Sequence, residues 1–449
     1  MSSYVPNTTA DRARMLFAMG VDSVEELFEV IPAEKRYPGL SLPGPLSEIE
    51  VKQLLRGLAE KNADLDHHPC FLGAGSYHHF VPSVVDHIVR RGEFFTAYTP
   101  YQPEVSQGTL TSIYEYQTMV CALTGMDVAN ASMYDGATAL AEAGLMAARV
   151  THRFKLLVAA NSHPTHRRVL RTYTQGMGLE IEEVRSFEDG SIDASHVEEV
   201  LDDGVAALVV QNPNFLGCLE DLALLAELAH AVGALVVVSV DPVSLGLFKA
   251  PGDLGGDIVV GEGQSLGSPL SYGGPCLGLF ACRERYLRQM PGRLVGMATD
   301  AEGRRGFVLT LQPREQHIRR EKATSNICSN EALVALAAAV YMAVMGKQGL
   351  RQVAELTYHK AHYAAESIAA LNGYERLLGS FFKEFVVRVP KSPSAVNGRL
   401  WDRGIIGGYD LAAEYPELAG CLLFCVTEMN TKDEIDGLVQ ALKEIAEEG

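Results

Sequence analysis

Five short runs rich in β-branched residues lie at 155–160, 181–184, 205–211, 234–240 and 257–261 of this 449-residue chain, with helix-like stretches such as 222–232 between several of them. A run that is apolar on successive residues has no face for water, so it belongs in a sheet covered on both sides. Strands that alternate with helices indicate a mostly parallel sheet with helices on both faces, an α/β fold. In such sheets ligands bind beyond the carboxyl ends of the strands, so the residues just after each strand are the ones to inspect for chemistry.

The flanking regions read differently. Residues 1–95 carry helical periodicity at 24–30 and 46–62, broken by Pro38, Gly39, Pro43, Gly44 and Pro45, and read as an N-terminal helical arm that wraps something larger. Residues 96–330 form the large domain. Residues 331–449 read as a small C-terminal α/β domain, with helices at 332–345 and 354–371, strands at 385–389 and 421–427, and a last helix opened by a Thr431/Glu434 capping box. The apolar run 332–345 is too short to span a bilayer and suits a buried helix. Residues 1–6 lack the basic and apolar regions of a leader, so a cytoplasmic protein is expected.

A net charge of −18 argues against nucleic acid or an anionic membrane as partner, because both attract basic patches. The eight cysteines show no C-x-x-C spacing and several lie inside apolar runs, which fits reduced thiols rather than a disulfide framework. The pairs His67-His68 and His78-His79 have no acidic residue spaced to complete a metal site, so no metal is expected.

Three segments after strands could hold a ligand. Tyr134-Asp135-Gly136-Ala137-Thr138 leads into an alanine-rich helix whose first N–H groups, at Gly136, Ala137 and Thr138, suit a phosphate. His163 follows the run 155–160 and could stack on a flat aromatic ring. Asp241 ends the run 234–240, where a carboxylate could keep a pyridinium nitrogen protonated. Taken singly, each is equally a plain helix start, a loop histidine and a strand-end aspartate. In this order and in one parallel sheet they resemble the skeleton of the fold type I pyridoxal phosphate enzymes, the aspartate-aminotransferase-like group. Those enzymes place the lysine that binds the cofactor after the next strand. Here that strand is followed by Glu262-Gly263-Gln264-Ser265, and no lysine occurs between Lys249 and Lys322. A serine at 265 cannot form the imine.

Two longer segments resemble signatures of the glycine decarboxylases, the P-proteins of the glycine cleavage system. They are Tyr98-Thr99-Pro100-Tyr101-Gln102-Pro103-Glu104-Val105-Ser106-Gln107-Gly108 and Arg320-Glu321-Lys322-Ala323-Thr324-Ser325-Asn326-Ile327-Cys328-Ser329. The resemblance covers essentially the whole chain. It implies the α-type half of a split enzyme, paired with a lysine-bearing P-protein subunit that holds pyridoxal phosphate covalently. It implies that glycine is decarboxylated and its aminomethyl group passed to the lipoyl arm of H-protein, in an assembly expected to be an α2β2 heterotetramer.

By the same resemblance, Tyr98, Tyr101, Gln102 and Glu104 are expected on the substrate or lipoyl side of the shared site. Thr324, Ser325 and Asn326 are expected to reach the partner's cofactor phosphate, unless Thr324 merely caps the following helix. Gly136, Ala137, Thr138, His163, Asp241, Gln264 and Ser265 would line a relic pocket in this chain. Two other classes of function stay open at this point: a non-catalytic relative that stabilises or regulates a lysine-bearing subunit, and a free-standing pyridoxal enzyme that uses Lys249 or Lys322.

Overall fold

The computed structural model describes residues 6–37, 39–186 and 188–448. Residues 1–5, part of the leader reading, and the loop breaker Pro38 lie outside the described residues. Two compact units divide the chain at Ala63/Asp64.

The first unit holds the helices Thr9–Met19 and Glu48–Ala59. Both are set by local signals. Thr8 with Asp11, and Ser47 with Glu50, form reciprocal capping boxes that satisfy the first N–H groups. The stretch 24–30, read as helical, makes only a 3-10 turn at Glu25–Phe28. Neither long helix buries a residue, and Phe17 and Val30 stand 88% and 91% exposed. The arm expected to reach 95 is thus compact only to Ala63. Beyond it, residues pack with the larger unit, as where Phe71 N–H donates to the Ile406 carbonyl (2.9 Å).

The larger unit is built on a seven-stranded sheet. Its strands are β1 (Val128–Ala129), β2 (Lys155–Ala159), β3 (Glu180–Val184), β4 (Val205–Asn212), β5 (Leu235–Val240), β6 (Ile258–Glu262) and β7 (Gly278–Cys282), in the order β1-β7-β6-β5-β4-β2-β3. The ladder from β3 through β2, β4 and β5 to β6 is parallel, and β7 and β1 close it antiparallel. β5 is buried at every position. Its alternate residues enter two different cores: Val236 and Val238 pack with Leu208 and Val210 on one face, Leu235 and Val237 with Ala207 and Val209 on the other. That is the physical reason for the unbroken apolar runs. A hairpin of β8 (Leu294–Thr299) and β9 (Arg305–Thr310) stands beside this sheet.

A smaller antiparallel sheet follows, with β10 (Glu375–Arg376), β11 (Glu384–Arg388), β12 (Tyr409–Asp410) and β13 (Cys421–Cys425) in the order β10-β11-β13-β12. The last helix, Lys432–Glu447, starts from the expected capping box at Thr431. The two helices expected after residue 331 run as one, Ala332–Ala369, broken only at Gly346, whose φ of 60° and ψ of −178° suit a residue without Cβ. Its first half packs on the large sheet through Ala335, Ala338 and Tyr341, and its second on the small sheet through Ala361, Ala365 and Ile368. This helix has the length and apolar composition to cross a membrane. Its buried residues on both sides of Gly346 mark it as a core helix.

Candidate active site

The carboxyl ends of β2, β5 and β6 bring His163, Asp241 and Ser265 to one basin, and the helix Gly136–Thr151 starts at its edge. The residues named from the sequence as a relic pocket are therefore neighbours. Their binding positions, however, are taken by groups of the chain itself, and the cavity left is only about 40 Å³, room for a few waters.

The helix start comes first. Asp135 caps the helix, accepting from the Thr138 N–H at 2.7 Å, while Thr138 Oγ1 accepts from the Asp135 N–H. The Gly136 N–H donates to Glu262 Oε2 at 2.9 Å, and the Gln264 and Leu277 N–H groups donate to Glu262 Oε1 at 2.9 Å each. Glu262 thus sits where an outside anion would bind. A Cβ at Gly136 would come within 2.9 Å of the Glu262 backbone nitrogen, which explains glycine there. Burial pushes the Glu262 carboxyl up to about 7 against the pull of those three donors.

Asp241 is likewise taken. Lys383, just ahead of β11, places Nζ 2.6 Å from Asp241 Oδ2, with side chains 2% and 11% exposed. The ammonium lies 3.2 Å from the centre of the Tyr77 ring. It also reaches His79 Nε2 at 3.2 Å, while His79 Nδ1 meets Glu428 Oε2 at 2.7 Å. Burial raises the Glu428 carboxyl, but the His79 contact and the Phe80 N–H outweigh it and bring the group to about 2. Glu384 accepts from the Ala74 N–H (2.7 Å) and the Tyr77 hydroxyl (2.8 Å), and burial pushes its carboxyl up to about 7.

His163 is already engaged by rings of the chain itself. It stacks on His166 (4.5 Å between ring centres, 15° between planes), and Phe215 meets it edge-on. Its Nδ1 accepts from the Thr165 N–H, and Nε2 lies 3.2 Å from the Ala74 carbonyl. Gln264 grips Tyr77 from both sides, accepting from its N–H and donating to its carbonyl at 3.1 Å each, and so holds the 74–79 segment over Ser265. These residues do not fit pyridoxal phosphate: the phosphate position, the ring-nitrogen partner and the stacking face are all occupied by protein.

The signature loop lies elsewhere, at a second and larger cavity of about 240 Å³ lined by Tyr98, Thr99, Pro100, Arg293, Asn330 and Leu333, among others. Gln107 ties the loop to β9 through the Phe307 backbone, accepting at 2.9 Å and donating at 2.8 Å. Tyr98 is 88% exposed at the mouth. Arg293, only 6% exposed, donates to Asn330 Oδ1 (3.2 Å) and the Tyr101 hydroxyl (3.4 Å) and lies 5.6 Å from the Tyr101 ring centre. Glu315, also buried, stands 4.0 Å from Arg293 Nε, too far for a hydrogen bond, and burial raises its carboxyl. Arg293 Nε and Glu315 Oε1 have no hydrogen-bond partner among the described residues. Gln102 and Glu104, within the same loop, are exposed.

Thr324, Ser325 and Asn326 do not line this cavity. The Thr324 N–H donates to the Arg314 carbonyl (3.0 Å), and Ser325 Oγ accepts from the Ile327 N–H (3.1 Å). Thr324 is not the helix cap either; Glu331 holds that position, and it makes no side-chain cap bond. Sequence reasoning missed Glu262, Arg293, Asn330, Lys383 and Glu384. The one available signal was Lys383-Glu384 inside the run Phe381-Phe382-Lys383-Glu384-Phe385, two charges heading a strand that has to be buried.

The family model of the glycine cleavage system P-protein matches residues 2–442. A probable glycine dehydrogenase (decarboxylating) subunit 1 from Desulforamulus reducens is 55% identical over 445 residues, covering 99% of this chain and 100% of the relative. The protein of the same name from Thermomicrobium roseum is 55% identical over 98% of this chain and 99% of its own length. Among solved structures, a chain of glycine decarboxylase (P-protein) in inhibitor-bound form superposes with a TM-score of 0.92 at 46% identity, covering 99% of this chain and 100% of that one. A sphingosine-1-phosphate lyase from Burkholderia pseudomallei, at TM-score 0.68 and 16% identity over 93% of this chain and 94% of its own, shares the fold.

Proposed function

The chain belongs to the glycine cleavage system P-protein family, and on that premise we propose that it works as subunit 1 of a split glycine dehydrogenase (decarboxylating), active with a lysine-bearing partner. The observation that carries the division of labour is the filled basin. Ser265 stands where a cofactor lysine is expected, and Glu262 and Lys383 occupy the charged positions around it. The cofactor, held covalently by the partner, would supply the electron sink for loss of the glycine carboxylate. The aminomethyl group would go to the lipoyl arm of H-protein.

This chain's share is then the wall of the partner's site. Arg293 fixes the Tyr101 phenol through a hydrogen bond and the ring contact, with Tyr98 free at the mouth. Two phenols and a buried cation suit a small zwitterion, and Gln102 and Glu104 flank the approach. Thr324, Ser325 and Asn326, which do not line the local cavity, would face the partner's cofactor phosphate. The exposed apolar arm supports an obligate interface, because a surface so rich in large apolar side chains is otherwise an aggregation liability. We place the complex in the cytoplasm as an α2β2 assembly.

Co-expression with a lysine-bearing partner tests this. Glycine-dependent CO2 exchange is measured with each chain alone and with both, and only the pair should turn over. Tyr101→Phe removes one hydrogen bond and should lower turnover up to about tenfold with the complex intact. Full activity in that variant would make the chain a scaffold, and activity from this chain alone would refute the proposal.

A further inference from the structure

Two positions in a pyridoxal phosphate basin carry charge: the helix start that takes the phosphate and the strand-end carboxylate that faces the ring nitrogen. In this chain the first meets an anion and the second a cation, and both come from the chain. Glu262 gathers three backbone N–H groups, from Gly136, Gln264 and Leu277. Lys383 sits on Asp241 and against the Tyr77 ring. We infer that Glu262 and Lys383 are built-in stand-ins for the phosphate and the ring nitrogen of the cofactor, and that they keep this chain's own basin shut to it. The inference rests on the proposal that the cofactor belongs to the partner.

The physical need is plain. In this chain the carboxyl ends of the strands present a cluster of N–H donors and the Asp241 carboxylate whatever its activity. Left empty and covered by residues 74–79, those groups would be buried without partners, and such groups destabilise the fold strongly. Filling with apolar side chains would not help, since neither the donors nor Asp241 would be satisfied. Side chains of matching sign answer both: Glu262 accepts from the three donors, and Lys383 neutralises Asp241 by an ion pair. The remaining 40 Å³ is far below the roughly 300 Å³ and more of ligand pockets.

Thermal unfolding of the full chain tests the inference. The melting temperature of the wild type should be unmoved by inorganic phosphate or pyridoxal phosphate, compared with sodium chloride at equal ionic strength. Glu262→Gly opens the donor cluster, should lose about 5 °C, and should regain most of it in inorganic phosphate. Lys383→Met leaves Asp241 buried and unpaired and should lose about 5 °C. Adding Asp241→Asn to Lys383→Met should recover much of that loss. Stabilisation of the wild type by pyridoxal phosphate, or a Glu262→Gly protein indifferent to phosphate, would overturn the inference. If Glu262→Gly does not fold even in phosphate, the charge cycle decides: a double variant no more stable than Lys383→Met refutes it. Borohydride reduction and peptide mapping separate the two readings. A pyridoxyl-lysine in this chain would bring down the proposed function, whereas non-covalent uptake by the wild type brings down only the stand-ins.

Discussion

Replacing Glu384 with glutamine should change how stability depends on pH, and the structure sets sign and size. Burial raises this carboxyl from 4.5 to about 7. The folded state therefore binds the proton more tightly than the unfolded chain, so Glu384 costs stability increasingly as pH rises from about 4.5 to 7. By linkage the cost is about 1 kcal/mol near pH 5 and about 3 kcal/mol near pH 7.5. Glutamine can still accept from the Ala74 N–H through Oε1 and can donate through Nε2 to the Tyr77 hydroxyl oxygen in place of the second carboxylate oxygen, but it does not titrate. Relative to wild type, Glu384→Gln should gain about 2 kcal/mol between those two conditions. Guanidinium unfolding of both proteins at each pH measures this. The raw profile is a sum: Glu262, raised to about 7, acts in the same sense, and His166, which burial lowers to about 3, acts in the opposite sense below pH 6.5. Only the difference between the proteins isolates Glu384. A difference that stays constant across the range would refute the assignment of a raised, buried carboxyl.

Two further outcomes follow from the geometry. Removing residues 6–63 should leave the larger unit folded but abolish co-purification with the lysine-bearing chain, because neither long helix of the first unit buries a residue; pull-down from co-expression measures it. Gly217→Ala should destabilise by about 3 kcal/mol or more, since its Cβ would lie 1.9 Å from the Glu384 carbonyl oxygen and its φ is +87°; thermal unfolding measures it.

The parallel strands were legible because a strand covered on both faces has to be apolar on both. Strand ends fell within a residue or two of the runs. The long helix was not legible as one element. Gly346-Lys347-Gln348-Gly349 looks like a break, and only packing on two sheets carries the helix past it. The basin residues His163, Asp241 and Ser265 were found because each follows a strand. Their partners were not, because Lys383 and Asp241 lie far apart in sequence and nothing local announces that one neutralises the other. The absent lysine after β6 masks Glu262, the residue that fills the adjoining position. Arg293 was missed for the same reason: its neighbours Tyr101 and Asn330 come from distant segments.

The Lys383–Asp241 contact joins the small sheet's leading edge to the large sheet's strand end. Glu384, next along, holds the 74–77 segment, and the Tyr415 hydroxyl reaches the Ala160 and Ser162 carbonyls. The two sheets are thereby latched through buried polar groups, and they have little freedom to rock against each other. A subunit latched in this way makes a fixed jaw. On the pairing proposed above, any opening and closing that accompanies turnover would fall to the partner subunit, with the signature loop presented to it from the latched side.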